Sequence, residues 1–350
     1  MSKSSARVTL RQLCRLGLPA PLLLPSLLPV LRELIPASHG AFFFCDARGS
    51  ITNLYAERML APQAMASYHD RHNDDHFRHQ YLRRVADASP VSRRSASSSE
   101  KEGAYFREVL SPLGVEHFLY GVVRHHGKVL GQLSLYRGGD ASPFSLADEQ
   151  TLLGVMHYLG EALGMPSPVA LLELQEHTVE EGLALLDTQA NELYADENWP
   201  RLIRLAEGNA ISPATAMAES ESLPRFVRAM LAAVLSAPHA IHRVDSVWGN
   251  FAFRRHAMAS QQGDHAVALL VSRLAAQPLR LTEGAAALGL SPQQREVAVL
   301  IAQGHSNSDI SQHLGITVNT ASYHVKQVFA RLKVHDRSAV ARVLCDAAAR

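Results

Sequence analysis

Residues 290–350 constrain this chain most, because start, stop and turn signals fall there at helical intervals. Ser291-Pro292 reads as an N-cap followed by proline at the first helical position, and Gln294 completes a capping box. Val297, Leu300 and Ile301 recur at helical spacing and form an apolar stripe. Gly304 is placed to stop that helix, since glycine takes the left-handed C′ conformation without a Cβ penalty. Ser306 and Asp309 make a second capping box ahead of inward-facing Ile310 and Leu314, and Gly315 supplies a tight turn. Thr317 then caps a third helix with Ala321, Val325, Val328 and Leu332 inward. Asp336 or Ser338 opens a fourth, carrying Val340, Val343 and Leu344.

About three residues separate the second and third helices, the spacing that sets a second helix into a DNA major groove. The apolar face of the third helix sends Ser322, Tyr323, Lys326 and Gln327 the other way. All four can donate or accept at base edges or phosphates. Thr317, Asn319 and Thr320 at the start of that helix, Asn307 on the preceding one, and Arg331 and Lys333 at its end complete the candidate DNA-binding set. Residues 290–350 hold seven Lys and Arg against four Asp and Glu, a net of +3 in a chain of net +1. A basic end on a mildly acidic remainder suits double-stranded DNA as partner.

Residues 290–346 resemble the DNA-binding domain of the LuxR family, including its NarL-type response regulators. Leu290, Ser291, Arg295, Glu296, Val297, Gly304, Ser306, Asn307, Ile310, Leu314, Gly315, Ile316, Thr320, His324, Val325, Lys326, Leu332, Val334 and Arg337 carry the match at fixed spacing. The resemblance places base reading on Ser322, Tyr323 and Lys326 and a homodimer contact on the fourth helix, around Ser338–Ala348. It implies a transcription regulator with RNA polymerase as a possible second partner. Two positions depart from the family. Ala321 stands where valine is usual, which thins the packing under the third helix. Ser322 stands where Lys or Arg is usual, which removes a charged contact.

A chain of 350 residues with 47% hydrophobic content is expected to hold two or three packed domains. In residues 1–164 a helix near Leu27–Ile35 leads into a strand at Gly40–Cys45, a turn at Asp46–Gly49 and a strand at Ile51–Tyr55. A histidine-rich helical stretch follows, then a serine-rich loop at Ser89–Ser99. A hairpin spans Leu119–Arg124 and Val129–Tyr136, and a helix capped at Ser145 runs to about Leu163. This order resembles a GAF domain, a small-molecule sensor with an antiparallel sheet. In residues 165–278, Leu171–Glu181 reads as a helix, Gly182–Asn198 as strand, turn and strand, and Leu202, Ile203 and Leu205 as a helix. Ser246–Met258 and Asp264–Arg273 supply a late strand pair, and the segment resembles a PAS domain. Trp199 and Trp248 read as core residues, with a pocket wall as the alternative. A linker at Ala276–Gly284 leads to the helix-turn-helix domain, residues 285–350. The expected fold is therefore multidomain: two α/β antiparallel-sheet sensors, GAF-like then PAS-like, followed by an all-α four-helix end.

Other function classes find little support. The chain has no Gly-x-Ser-x-Gly, no phosphate-binding glycine loop and no Cys-x-x-Cys, so no enzyme is indicated. The alternating βα pattern of a phosphoacceptor receiver is missing. Residues 1–198 contain no tryptophan, against the aromatic pocket of acyl-homoserine-lactone receptors. Cys14, Cys45 and Cys345 have no paired spacing, which suits buried thiols in a reducing cytoplasm. The apolar run Leu16–Leu34 is broken by Pro19, Pro21, Pro25 and Pro29, so neither a signal peptide nor a membrane span is expected. His69, His72, His76 and His79 would share a helical face able to bind a transition metal, but Asn73-Asp74-Asp75 interrupts it, and a solvated surface is the expected reading. No cofactor is expected beyond an unknown small-molecule ligand. The chain reads as a cytoplasmic, one-component regulator. The competing class is a ligand-binding or interaction protein whose helical tail contacts a protein instead of DNA.

Overall fold

The computed structural model describes residues 3–58, 75–164, 176–187, 189–208, 223–236, 241–246, 248–259 and 265–348. The chain divides into two compact units: residues 35–160 with 177–275, and residues 1–34, 161–176 and 276–350. Helices α1 (Lys3–Cys14) and α2 (Ala20–Leu34) open the chain. Helix α2 starts earlier than expected and runs through Pro25 and Pro29. No helix among the described residues is long and apolar enough to cross a membrane.

The first unit is built on two antiparallel five-stranded sheets. Strands β1 (His39–Cys45) and β2 (Ile51–Ala56) form a hairpin. Its turn is fixed by Asp46, whose carboxylate accepts from the Arg48 and Ser50 backbone N–H groups at 2.9 Å. Helix α3 (Asp75–Ala86), strand β3 (Val91–Ser95), the short helix α4 (Ser98–Lys101) and a π-helical turn at Phe106–Leu110 follow. Strands β4 (His117–His125) and β5 (Lys128–Arg137) form a second hairpin, and α5 (Leu146–Gly164) closes the order. The strands lie β2-β1-β5-β4-β3.

The serine-rich segment is thus not a loop. Val91–Ser95 pairs in register with His117–Gly121 as an edge strand, and an edge tolerates polar side chains on its open side. Side chains alternate across the sheet. A Cβ on Gly121 would lie 2.8 Å from Met156 Sδ, so this face of β4 is pressed against α5. Leu119 and Val123 share that face, while Phe118, Tyr120 and Val122 point the opposite way.

Helix α5 starts where Ser145 and Asp148 cap each other. The Asp148 carboxylate accepts from the Ser145 N–H (2.9 Å) and hydroxyl (3.0 Å), and pairs with Arg137 at 3.3 Å. Burial works to raise the Asp148 pKa, but the Ser145 bonds and the Arg137 charge together hold it below the ordinary value of 3.8. A depressed carboxylate stabilises the fold above its unfolded pKa, and that stability is lost as pH falls through the folded pKa. Asp148→Asn should therefore be less stable than wild type at neutral pH, with the gap closing in acid below the carboxylate range. Denaturant melts across pH check this.

The second sheet is formed by β6 (Glu176–Leu186), β7 (Glu192–Ala195), β8 (His242–Ser246), β9 (Gly249–Ala259) and β10 (His265–Ala276), with helices α6 (Trp199–Glu207) and α7 (Leu223–Ser236) between β7 and β8. Its order, β7-β6-β10-β9-β8, repeats that of the first sheet. Both sheets thus place a first hairpin beside the last strand of the group, with helices inserted between. The helix expected at Leu171–Glu181 is strand from Glu176 onward. A Cβ on Gly182 would come within 2.9 Å of the Trp199 backbone, so that approach requires glycine in an extended segment. Ala184, Leu186, Trp199, Leu202, Trp248, Phe251 and Phe253 form the core, which settles both tryptophans as core residues. Asp196 caps α6 by accepting from the Trp199 N–H at 2.8 Å, and Trp199 Nε1 donates to Glu192 at 3.0 Å.

In the second unit, α1 and α2 pack together, and α1 packs on the C-terminal helices α8 (Gln277–Ala287) and α9 (Pro292–Ala302). Helices α10 (Asn307–Leu314), α11 (Val318–Leu332) and α12 (Arg337–Ala348) complete it. The expected linker at Ala276–Gly284 is mostly helix α8. Pro278 sits in its first turn, where proline costs no hydrogen bond, and Gly284 lets the Leu344 backbone of α12 approach. The buried guanidinium of Arg295 donates to the Leu290 carbonyl (3.0 Å), to Thr9 Oγ1 (2.9 Å) and to Ser5 Oγ (2.7 Å). Burial pushes the Cys14 and Cys45 thiols up to about 12, so neither supplies a thiolate at neutral pH.

Candidate nucleic-acid interface

Local signals position the C-terminal helices. Ser291 with Gln294, and Ser306 with Asp309, form reciprocal capping boxes, and Thr317 accepts from the Thr320 N–H. The Asp309 carboxyl is held below its ordinary value chiefly by its bonds to Ser306. Gly315 ends α10 at φ 63°, and the chain re-enters helix at Val318. At the start of α12, Asp336 accepts from the Ala339 N–H at 2.7 Å and from the Ser338 hydroxyl at 2.6 Å, so Asp336 is the cap.

The inward face of α11 is tightly packed. Ala321, Val325 and Val328 are buried among Val297, Ala298, Ile301, Ile310, Val340 and Leu344, with Leu332 partly buried against them. Ala321 is fully buried, so its small side chain does meet the core. Thr317, Asn319, Tyr323, Lys326, Gln327, Arg331 and Lys333 are exposed. Tyr323 is 59% exposed, unusual for an aromatic side chain. Lys326 and Lys333 flank a shallow concavity floored by Phe329 and Val334. Lys333 also ends α11 in the left-handed conformation at φ 54°.

Three candidates are half-buried and tied down. Thr320 Oγ1 lies 2.8 Å from Thr317 Oγ1. Asn307 Nδ2 donates to Ser322 Oγ at 2.9 Å, and Asn307 Oδ1 accepts from Arg337 Nη2. Arg337 Nη1 also donates to the His305 carbonyl at 2.6 Å. Asn307 thus brackets α10 to α11 and to the start of α12, and Ser322 spends its oxygen on that bracket. Sequence reasoning marked Asn307, Ser322 and Arg337 separately and missed the connection among them. Of the histidines weighed as metal ligands, His69, His72 and the side chain of His76 lie outside the described residues, and His79 lies on α3.

Comparison with known proteins follows the same boundaries. Residues 288–344 match the family of bacterial regulatory proteins, luxR family. The C-terminal end of this chain is a LuxR-family helix-turn-helix domain. A segment of 59 residues is 42% identical to the two-component response regulator PprB of Pseudomonas aeruginosa, covering 17% of this chain and 22% of that protein. A segment of 55 residues is 36% identical to YhjB of Escherichia coli, named as an HTH-type transcriptional regulator, covering 16% of this chain and 28% of that one. The chain therefore spans well under a third of the curated relatives it matches. Among solved structures, a Vibrio cholerae VqmA dimer described as a LuxR-type receptor is 14% identical at a TM-score of 0.19, over 48% of this chain and 83% of that one. A likeness that weak does not bear on the fold.

Proposed function

We propose that this chain is a one-component, DNA-binding transcription regulator without enzymatic activity, working in the cytoplasm. The outward face of α11 carries the reading: Thr317, Asn319, Tyr323, Lys326, Gln327 and Arg331 lie exposed on one helix whose opposite face is fully packed. A polar and cationic face on a rigid support is what base-edge and phosphate contact requires. Ser322, committed to Asn307, contributes less to base reading than Tyr323 and Lys326 do. The shared order of the two sheets, hairpin, helical insert and hairpin, supports a GAF-like sensor over residues 1–164 and a PAS-like sensor over residues 165–278, with the DNA-binding domain over residues 285–350. Pairing of two copies through α12 fits the stripe Ser338, Arg342 and Asp346, which is exposed along that helix.

Lys326→Ala is expected to weaken operator binding on the order of tenfold or more, since a base contact is worth ~1–3 kcal/mol. If the lysine meets phosphate instead, the loss is uniform across sequences and the slope of affinity against salt falls by about 1. Fluorescence anisotropy on DNA selected from genomic fragments measures both. A mutant that binds like wild type would sink the placement of α11 in the groove. The expected footprint covers two half-sites about one helical turn apart.

A further inference from the structure

The first sheet encloses a polar cavity that the DNA-binding role leaves unused. It lies on the sheet face away from α5, beneath α3 and the π-helical turn. Its volume is about 90 Å³. Strand β5 reads Gln132-Leu-Ser134-Leu-Tyr136, and the leucines face α5. Gln132 and Ser134 point the other way, at 1% and 0% exposure. Buried amides and hydroxyls cost free energy unless hydrogen-bonded, so a buried polar pair in a core strand needs a reason.

The reason lies in two guanidinium groups. Arg84, at the end of α3, stacks on the Tyr120 ring at 3.8 Å and donates from Nη1 to Gln132 Oε1 at 2.9 Å. Gln132 Nε2 donates in turn to Ser134 at 3.0 Å. Arg94, on β3, lies over Phe118 at 4.2 Å and donates to both carboxylate oxygens of Glu100, at 3.0 and 3.2 Å. The Arg94 charge is therefore matched. The Arg84 charge is matched only in part: its hydrogen-bond partner is a neutral amide, and Asp87 acts on it through space without forming an ion pair among the described residues. Burial, the Arg84 guanidinium's main perturbation, pulls its pKa down, yet an arginine stays cationic in a protein. Phe43 and Phe77, stacked at 4.7 Å, form an apolar wall of the same cavity.

A half-buried guanidinium whose hydrogen-bond partner is a neutral amide, set beside an apolar wall, suits a ligand with an anionic head and a short apolar tail. We propose that this cavity binds a short-chain monocarboxylate, its carboxylate on Arg84 and its alkyl end against Phe43 and Phe77. Size sets the chain length. A dry cavity of about 150 Å³ holds benzene, so about 90 Å³ holds roughly four heavy atoms, and the open mouth admits one or two more. Acetate and propionate fit, and benzoate does not. The proposal rests on the reading of the first sheet as a sensor and gives that sensor a ligand class.

Isothermal titration of the full-length protein tests it with sodium propionate, against propionamide, benzoate and sodium chloride. The expected result is one saturable site for propionate and none for the other three. Arg84→Gln should weaken propionate about 10- to 100-fold, the loss of a charge-assisted hydrogen bond. Gln132→Glu keeps the fold under test in case removing the arginine unfolds it. It supplies Arg84 with an internal carboxylate, so it should raise Tm and abolish propionate binding. Equal binding of propionamide, benzoate or chloride overturns the proposal, as does wild-type propionate affinity in Gln132→Glu. Operator anisotropy on the same sample separates the two readings. No propionate binding beside intact DNA binding removes the ligand class alone. Propionate binding without DNA binding supports the cavity and removes the regulator.

Discussion

Trp199→Ala should destabilise the sheet unit by about 3–5 kcal/mol, the range for deleting a large buried aromatic. Trp199 is 1% exposed, so truncation leaves a cavity rather than a relaxed surface. Three further restraints keep the site from collapsing. Gly182 presses on the Trp199 backbone, Asp196 caps its helix at that residue, and its neighbours Leu202, Phe251 and Phe253 are core residues in their own right. The indole also holds Glu192, which sits on an exposed edge strand and can turn to water when released, so that bond adds little. Trp248, fully buried in the same cluster, remains as the fluorescent reporter. Urea melts followed by its emission should shift to lower midpoint with little change in slope. A shift worth under about 1 kcal/mol would show that the helical insert is loosely packed and that Trp199 is not a keystone of this core.

Gly284→Ala should destabilise the helical unit, opposite to the usual direction. Glycine to alanine inside an open helix gains about 1 kcal/mol. At Gly284 the new Cβ would lie 1.9 Å from the Leu344 carbonyl oxygen and 2.7 Å from its carbon. Those are backbone atoms of α12 and cannot swing aside, so the two helices must part. The expected net loss is about 1–3 kcal/mol. Gly154, in α5, is the internal control, because a Cβ there meets nothing within 4 Å. Gly154→Ala should stabilise its unit. Both tryptophans lie in the sheet unit, so its emission follows Gly154→Ala, while Gly284→Ala is followed by the part of the far-UV circular dichroism melt that the tryptophan emission does not report. Equal signs for the two substitutions would mean that α8 and α12 are not in backbone contact. Loss of operator binding by Gly284→Ala would further link that contact to the pose of α12.

What was legible in the sequence was local. Capping boxes at Ser291 and Ser306, the caps at Ser145 and Thr317, and the turn at Gly315 are contacts within a few residues of chain, and each stands where the residues placed it, while of Asp336 and Ser338, both open as the start of the last helix, Asp336 is the cap. The antiparallel hairpins came from apolar runs bounded by turn residues, for the same reason. The errors fell where a distant partner decides. Val91–Ser95 is polar enough to read as loop and becomes strand because β4 offers it an open edge. Pro278 and Gly284 look like breakers, but one occupies a first turn and the other a helix contact. Glu176–Glu181 has helix-forming residues, yet it pairs within a sheet completed by strands far along the chain. The candidate interface divides likewise. Exposure of Tyr323 and Lys326 follows from helical period, whereas the Asn307–Ser322–Arg337 bracket and the Arg84–Gln132 pair join residues no periodicity connects.

The Arg295 tie bears on how this protein is made. Its hydroxyl partners, Thr9 and Ser5, stand 286 and 290 positions away in sequence. Closing a loop that long costs roughly 5 kcal/mol of chain entropy, a cost met only by contacts formed at the same time. During synthesis, residues 3–14 leave the ribosome well before residues 292–302 do. Helix α1 must therefore wait, with α2 as its neighbour, until the helices at 277–287 and 292–302 have emerged. Completion of the helical unit is a late, high-contact-order event, slow relative to the local hairpins and helices that precede it.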